Sequence, residues 1–375
     1  MEFNIISEKF KKFISFATYL CESNFTLPIL NNILLILKKD NLEIISTNLE
    51  NILIFSFNIK TEEKGKILIP GRIFSNYISY LPKGEIKIKE ENLIINIECE
   101  NYKAKIFGQN PEEFPILPQI KKEKPIEISS NELISALNKV IHMVSSSDSR
   151  VEISGILLRF DKKRLKVCGT DSIRLSEKIL PLKEISEEIK TKSVIIPQKT
   201  ASLLCYIFSN LDGKIEIVIE SAQIIFYFTP NNSDDPKITL ISKLIEGEYP
   251  EYEDIIPKEV KTQAILNKEE FQNKIKVASL FSSRIQDIKL SFNPEKKNIE
   301  IIATSTEKGE QNSIIKGEIE GKPIEVVFNW KYLLDGLSVI DSSEIFFGLN
   351  DPNSQTIFRP VGDKTYLYIL MPKTI

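Results

Sequence analysis

The chain has 375 residues, 42% hydrophobic and 27% charged, with 49 Lys and Arg against 52 Asp and Glu for a formal net charge of −3. That balance describes a soluble globular protein of two or three domains and excludes disordered and fibrous classes. No apolar run reaches the ~20 residues of a membrane helix, and Met1-Glu2-Phe3-Asn4 has no basic flank leading into an apolar stretch, so neither an anchor nor a signal peptide is expected and the compartment is the cytoplasm.

The first element, Phe3 to Leu20, reads as a short strand and then an amphipathic helix. Ser7 is its expected N-cap, and Phe10, Phe13, Ile14 and Ala17 recur at three- and four-residue spacing. Residues 33–47 (ILLILKKDNLEIIST) place a charged turn between two apolar runs, the pattern of a hairpin. A second helix follows Pro70 within 67–81, and strands return at 85–98. EEFPILP (112–118) carries prolines that neither continue a helix nor pair in a central strand, so it reads as a linker.

The same landmarks then recur twice, in the same order. Ile126 to Val144, with Ser129 near its helix start, precedes the hairpin 155–170, a helix after Pro197 within 194–208, strands at 214–228 and the linker GEYPEYEDIIP (247–257). Ala264 to Phe281, with Asn267 as N-cap, precedes 288–304, a helix after Asn329 within 325–339, and strands at 344–358. Pro70, Pro197 and Asn329 are separated by 127 and 132 residues. The expected fold is α+β: three tandem copies of one domain, each with two helices packed on antiparallel sheet, bounded at 1–120, 121–255 and 256–375. Each copy is large enough for its own core, unlike a solenoid repeat.

Chemistry is sparse. Cys21, Cys99, Cys168 and Cys205 are far apart and lie beside apolar residues, as reduced core thiols do. His142 is the single histidine, set on a predicted helix, so a histidine-based catalytic triad or a multi-histidine metal site lacks candidates. No phosphate-binding glycine motif or nucleophile elbow occurs. Paired carboxylates such as Glu62-Glu63, Glu112-Glu113 and Glu187-Glu188 lie in polar loops and read as solvated faces. Asp171, in GTDS (169–172), reads as a turn former after a buried strand. No catalytic residue, cofactor or metal is expected.

The net charge hides an uneven distribution. The six predicted helices carry +5 between them, which leaves −8 on the rest of the chain. A helix-lined basic surface would contact phosphates without reading bases, and no aromatic-rich basic stretch, zinc finger or helix-turn-helix accompanies it.

The repeat, together with TLPILNNILL (26–35), GTDSIRLSEK (169–178), EGEYPEYEDIIP and the C-terminal YLYILMPKTI, resembles the bacterial DNA sliding clamp family, the beta subunits of DNA polymerase III, along essentially the whole chain. The resemblance implies a head-to-tail homodimer forming a ring, its hole lined by helices, that encircles duplex DNA and slides without sequence specificity. The implied partners are the replicative DNA polymerase, the clamp loader and other proteins bearing short clamp-binding peptides; no membrane is involved. Lys9, Lys12, Arg72, Lys139, Lys199, Lys274, Lys276 and Lys331 are the implied DNA-facing cations. Asn24 and Ser147 stand at the family's DNA-contacting loop positions, without the basic and amide residues familiar there.

The family holds partner peptides, a glutamine followed by apolar residues, between its second and third domains. The matching positions here are Ile153, Thr170, Ser172, Ile173, Arg174, Leu175, Pro250, Asp254, Ile255, Ile369, Met371, Pro372 and Lys373. Arg174 is the expected polar contact at the rim. Two departures bear on peptide preference: Ser172-Ile173 replaces the family's Gly-His pair, and Thr374 follows Lys373 where the family ends on a basic residue. Tyr366, Tyr368 and Leu370 are expected on one face of the last strand, with Ile369 and Met371 on the other. For the dimer contact, the candidates are the edge strand Tyr102, Lys103, Ala104, Lys105, Ile106 and Phe107 and the helix end at Leu280 and Phe281, with ordinary core as the alternative. Two other readings stay open: an enzyme using Asp171 and Arg174 in a cleft, and a peptide-binding scaffold that never touches DNA.

Overall fold

Each repeat is built from one run of elements in the computed structural model, which describes residues 1–21, 26–118, 124–145, 149–161, 163–183 and 192–374. The first contains β1 (Glu2–Ile6), α1 (Ser7–Thr18), β2 (Asn32–Lys38), β3 (Asn41–Thr47), β4 (Asn51–Asn58), β5 (Gly65–Pro70), α2 (Gly71–Tyr80), β6 (Glu85–Glu91), β7 (Ile94–Cys99) and β8 (Tyr102–Phe107). The second contains β9 (Ile126–Ser129), α3 (Ser130–Val140), β10 (Gly155–Asp161), β11 (Arg164–Thr170), β12 (Arg174–Pro181), β13 (Ser193–Pro197), α4 (Gln198–Phe208), β14 (Gly213–Ile219), β15 (Gln223–Pro230) and β16 (Lys237–Lys243). The third contains β17 (Thr262–Asn267), α5 (Lys268–Leu280), β18 (Asp287–Asn293), β19 (Asn298–Ser305), β20 (Gly309–Lys316), β21 (Glu318–Glu320), β22 (Ile324–Asn329), α6 (Trp330–Ser338), β23 (Glu344–Leu349), β24 (Thr356–Pro360) and β25 (Tyr366–Leu370). Among the described helices and strands, the short strand β21 is the one element added to the third run.

The elements form two compact units. Unit 1 holds Met1–Leu133 and Leu203–Leu244; unit 2 holds Ile134–Ser202 and Ile245–Ile375. Unit 1 contains an antiparallel sheet in the order β1-β6-β7-β8 and a longer one in the order β5-β2-β3-β4-β16-β15-β14-β9. Unit 2 contains β13-β10-β11-β12-β25-β24-β23-β17-β21 and β20-β19-β18-β22. The long sheets cross repeat boundaries. β4 pairs with β16 from Ser56↔Lys237 to Asn51↔Ser242, and β12 pairs with β25 from Arg174↔Leu370 to Lys178↔Tyr366. The last strand of one repeat thus joins the strands of its own repeat to the sheet of the repeat before it.

The apolar stripe read in α1 is the buried one. Phe10, Phe13, Ile14 and Ala17 are at most 1% exposed, and Phe13 packs 5.7 Å from the rings of Phe55 and Phe57 on β4. Fully burying such a side chain contributes roughly 1.5–3 kcal/mol. In unit 2 the core gathers Phe271, Ile275 and Ala278 of α5 with Leu333 and Leu337 of α6 and Tyr366, Tyr368 and Leu370 of β25. Gly336 is required there, because a Cβ would stand 2.3 Å from the Tyr368 ring.

Two expectations about helix starts need correction. Asn267 caps α5, accepting the Glu270 N–H at 2.9 Å, but Ser7 is the first residue of α1 and Ser129 the last of β9. The Ser7 hydroxyl instead donates to the Pro82 carbonyl at 2.9 Å and accepts the Gly84 N–H at 3.1 Å. Ser130 repeats this with Leu211 and Gly213 at 3.0 and 3.1 Å. In the third run Lys268 takes the position, with its ammonium on the Ile340 carbonyl at 2.6 Å. The hydroxyl satisfies buried backbone groups at a strand start, a need that local sequence does not display. His142 also differs from its expected setting: α3 ends at Val140, and His142 sits exposed in a single 3-10 turn, Ile141–Met143.

Candidate partner-peptide site and nucleic-acid interface

The candidate peptide face in unit 2 is organised by the turn between β11 and β12. The Thr170 hydroxyl donates to the Arg174 carbonyl at 2.6 Å and accepts the Ser172 N–H at 3.1 Å. Asp171 Oδ1 accepts the N–H groups of Ile173 and Arg174 at 3.0 and 2.9 Å. These bonds hold Ser172 at φ +76, a left-handed conformation that costs a non-glycine residue on the order of 1–2 kcal/mol. Asp171 is a turn former, as its sequence context suggests.

Arg174 has partners on three sides. Its Nε donates to Asp171 Oδ2 at 2.9 Å, one terminal nitrogen pairs with Asp335 on α6, and the other donates to the His142 carbonyl at 3.0 Å. The guanidinium also stacks 4.4 Å from the Tyr332 ring centroid. These bonds tie Arg174 to its own turn, to α6 and to the His142 backbone. Asp335 and Tyr332 are distant in sequence, which is why the residues around Arg174 give no sign of this.

Strand pairing assembles the floor. Thr170 lies opposite Leu175, Leu175 opposite Ile369, and Ile369 opposite Ile357, which puts one row across β11, β12, β25 and β24. Leu175, Ile369 and Ile153 share an apolar cluster with Leu157, Cys168, Tyr249 and Tyr252. Ile173, Ile255 and Met371 rise around it, 46%, 44% and 37% exposed, and the Met371 N–H donates to the Ile173 carbonyl at 2.9 Å. Pro250 and Pro372 are half-buried and Asp254 is exposed. Lys373 is tied down: its N–H donates to Val327 O at 2.8 Å and its ammonium to the Ile285 carbonyl.

The acidic segment bearing Pro250, Asp254 and Ile255 is held by residues that the sequence reading passed over. Tyr249 and Tyr252 are buried, and the Tyr252 hydroxyl donates to Glu177 on β12. Arg159 lies 5.7 Å over the Tyr252 ring and pairs with Glu251 and Glu253, while Lys166 pairs with Glu253 at 2.7 Å. Burial raises the Glu177 carboxyl above the usual carboxylate range. The available signal was two tyrosines, three residues apart, in an otherwise acidic, proline-bearing stretch. The thiols offer no nucleophile: burial pushes Cys205 up to about 11 and Cys21 up to about 12, so both are neutral near pH 7. Among the described residues no group of three His, Cys, Asp or Glu is arranged to hold a metal ion.

The expected DNA-facing cations divide by environment. Lys12, Arg72, Lys199, Lys276 and Lys331 are exposed on α1, α2, α4, α5 and α6, with no carboxylate paired to them among the described residues. Lys9 pairs with Asp234 at 3.0 Å and Lys274 with Glu270 at 3.4 Å. Lys139 is a correction. It is 8% exposed, its ammonium donates to the Val339 carbonyl at 2.9 Å and pairs with Asp341 at 2.6 Å, so it is part of the packing in unit 2. Asn24 and Ser147 lie outside the described residues.

Three family models match the chain in order: DNA polymerase III beta subunit, N-terminal domain, over residues 1–118; central domain, over 127–251; and C-terminal domain, over 253–374. The chain belongs to the DNA polymerase III beta-subunit family. A beta sliding clamp of Bacillus subtilis is 28% identical over 386 residues, 99% of each chain, and one of Staphylococcus aureus is 28% identical over 319 residues, 84% of this chain and 81% of the relative. The solved Bacillus subtilis sliding clamp superposes with a TM-score of 0.91 at 27% identity, covering 100% of this chain and 99% of that one. The Pseudomonas aeruginosa subunit, at 24% identity, has the same fold with a TM-score of 0.92 and full coverage of both chains. The family is non-catalytic, which disposes of the enzyme reading.

Two of the strands that end a sheet carry outward apolar side chains. β8 ends the order β1-β6-β7-β8, and β20 ends the order β20-β19-β18-β22. On β8, Tyr102 and Phe107 are 50% and 74% exposed, Lys103 and Lys105 are exposed, Ala104 is half-buried, and Ile106 belongs to the core. Leu280 is 67% exposed, and Phe281 is half-buried, packed against the core of unit 2. On β20, Ile314 is 52% exposed, and α2 turns Ile73 and Tyr80 outward at 61% and 84%. An edge becomes visible only when sheet order is known.

Proposed function

We propose that two copies of this chain close head to tail into a ring around duplex DNA and act as a DNA polymerase processivity factor. The alignment of all three beta-subunit domain models with the threefold repeat carries this reading. The ring slides without sequence specificity and tethers the replicative polymerase, and it is opened by a clamp loader. No bond is made or broken. Retention follows from enclosure, so weak phosphate contacts by Lys12, Arg72, Lys199, Lys276 and Lys331 are sufficient and permit sliding.

In this reading the repeats act as domains bounded at 1–120, 121–255 and 256–375, and the protein works in the cytoplasm. The β8 edge of one copy meets the β20 edge of the other, joined by the outward apolar residues of α2 and α5; exposed sheet edges paired in this way satisfy rows of backbone donors and acceptors. Partner peptides seat on the row Thr170-Leu175-Ile369 with Ile153 beneath, Ile173, Ile255 and Met371 around it, and Ser172, Pro250, Asp254 and Pro372 at its margin. Arg174 and Lys373 shape that face from within the protein.

The test is retention on DNA. The protein loaded on closed circular duplex is expected to stay bound through gel filtration and to leave when the circle is cut by a restriction enzyme. Loss that is independent of DNA topology refutes the ring and leaves a peptide-binding scaffold. Deleting Met371 to Ile375 is expected to abolish binding of a glutamine-and-leucine peptide while the dimer persists.

A further inference from the structure

The turn that organises the unit 2 face occurs a second time, bond for bond, in unit 1. Thr47 ends β3, and its hydroxyl donates to the Asn51 carbonyl at 2.8 Å and accepts the Leu49 N–H at 3.0 Å. Asn48 Oδ1 accepts the N–H groups of Glu50 and Asn51 at 3.1 and 2.7 Å, in the place of Asp171. Leu49 stands at φ +72 where Ser172 stands at +76. The Lys243 N–H donates to the Glu50 carbonyl at 2.9 Å, as the Met371 N–H does to Ile173 at 2.9 Å. The sheet repeats as well: β3-β4-β16 is the counterpart of β11-β12-β25, with Ile52 opposite Ile241 as Leu175 is opposite Ile369. The proline segment 112–118 packs here through Phe114 and Leu117, as the segment 247–257 does through its tyrosines.

Beside this turn lies a cleft of about 210 Å³, lined by Leu49, Ile52, Ile116, Leu117, Ile241 and Lys243 among others. Ile116, which follows Pro115 on the rim of the cleft, is 97% exposed. Two charges mark the margin. Lys243 and Glu50 are both exposed, are joined through the backbone, and have no ion-pair partner among the described residues, each other included. An apolar floor with one unpaired cation and one unpaired anion is complementary to an extended peptide whose apolar side chains are flanked by a carboxylate and an amide or amine donor.

We propose that the unit 1 cleft is a second partner-peptide site, taking a short extended segment with apolar residues, a carboxylate that pairs with Lys243 and an amide such as glutamine that donates to Glu50. The inference rests on the reading of the unit 2 face as the first such site. It extends that reading, because Lys243 stands where Met371 stands and Asn51 where Arg174 stands, so the two sites differ in charge and select different flanking residues.

The test uses the full-length dimer and an acetylated peptide of one glutamine, one aspartate and three leucines carrying a benzophenone. Titration calorimetry is expected to give two peptides per chain, and photocrosslinks are expected on fragments containing Ile116 or Lys243 as well as on those containing Ile173. Leu49→Glu with Ile116→Ser, both at exposed positions, is expected to reduce the stoichiometry to one and to remove the unit 1 crosslinks alone. Lys243→Glu, which leaves the apolar floor intact, is expected to weaken the unit 1 site by about two- to fivefold and leave the unit 2 site unchanged. Ile173→Glu is the control for the first site: if it abolishes all binding, or if the wild type binds one peptide crosslinked only in unit 2, the second site is refuted. If Ile173→Glu changes nothing while Leu49→Glu with Ile116→Ser abolishes binding, the unit 2 reading fails and the unit 1 site stands.

Discussion

Replacing Thr170 by Val removes one hydroxyl and keeps the shape of the side chain. That hydroxyl makes two bonds, to the Arg174 carbonyl at 2.6 Å and from the Ser172 N–H at 3.1 Å, and Thr170 is only 8% exposed. At about 1 kcal/mol net for each bond, the turn should open about 2 kcal/mol more easily, and the left-handed Ser172 favours the opening. Two kcal/mol corresponds to roughly 30-fold faster amide exchange when exchange follows the opening equilibrium. Hydrogen–deuterium exchange read by mass spectrometry on the fragment spanning 170–174 should show that acceleration. Thr47→Val makes the matched change in unit 1 and should accelerate 47–51 by a similar factor while leaving 170–174 untouched. Acceleration of either fragment by less than about threefold would refute the claim that these hydroxyls hold the turns.

The remaining predictions concern charge and assembly. Five exposed helix cations per chain, ten per ring, imply a slope of log affinity against log salt of about −9 if all meet phosphates; Lys276→Ala with Lys331→Ala should bring it to about −5, whereas Lys139→Ala should leave it unchanged and cost stability. An unchanged slope in the double variant would remove α5 and α6 from the DNA-facing surface. Burial raises the Glu177 carboxyl, so the folded protein binds more protons there than the unfolded chain does, and this group's contribution to stability falls as pH rises from about 4.5. Glu177→Gln should therefore gain on the wild type in chemical denaturation as pH is raised from 4 to 8; a difference that does not change with pH would contradict the assignment. Phe107→Asp and Leu280→Asp should each halve the mass measured by light scattering at micromolar concentration, and a retained dimer in both would place the contact elsewhere.

Sequence periodicity determined the local plan of this protein. The spacing of Phe10, Phe13, Ile14 and Ala17 depends on one helix turning at 3.6 residues, and the recurrence of Pro70, Pro197 and Asn329 depends on one strand ending where a helix begins; both signals are short-range and survive in a single chain. The turn role of Asp171 and the two faces of β25 were legible for the same reason, since a side chain bonding two residues ahead and a period of two need no distant partner. Tertiary structure decided what depends on contacts between segments far apart in sequence. It joined Arg174 to Asp335 and Tyr332, buried Lys139 against Val339 and Asp341, gave the Ser7 hydroxyl to Pro82 and Gly84, and set Glu177 beneath Tyr252. It also joined four strands of each of the first two repeats to the strands of the following repeat in one sheet, which is how one turn, written as TNLEN at 47–51 and TDSIR at 170–174, came to stand beside two corresponding strand junctions. The reason is physical: a charged or hydroxyl side chain takes the partner that desolvation leaves within reach, and which partner that is depends on sheet order and packing across 75 or more residues.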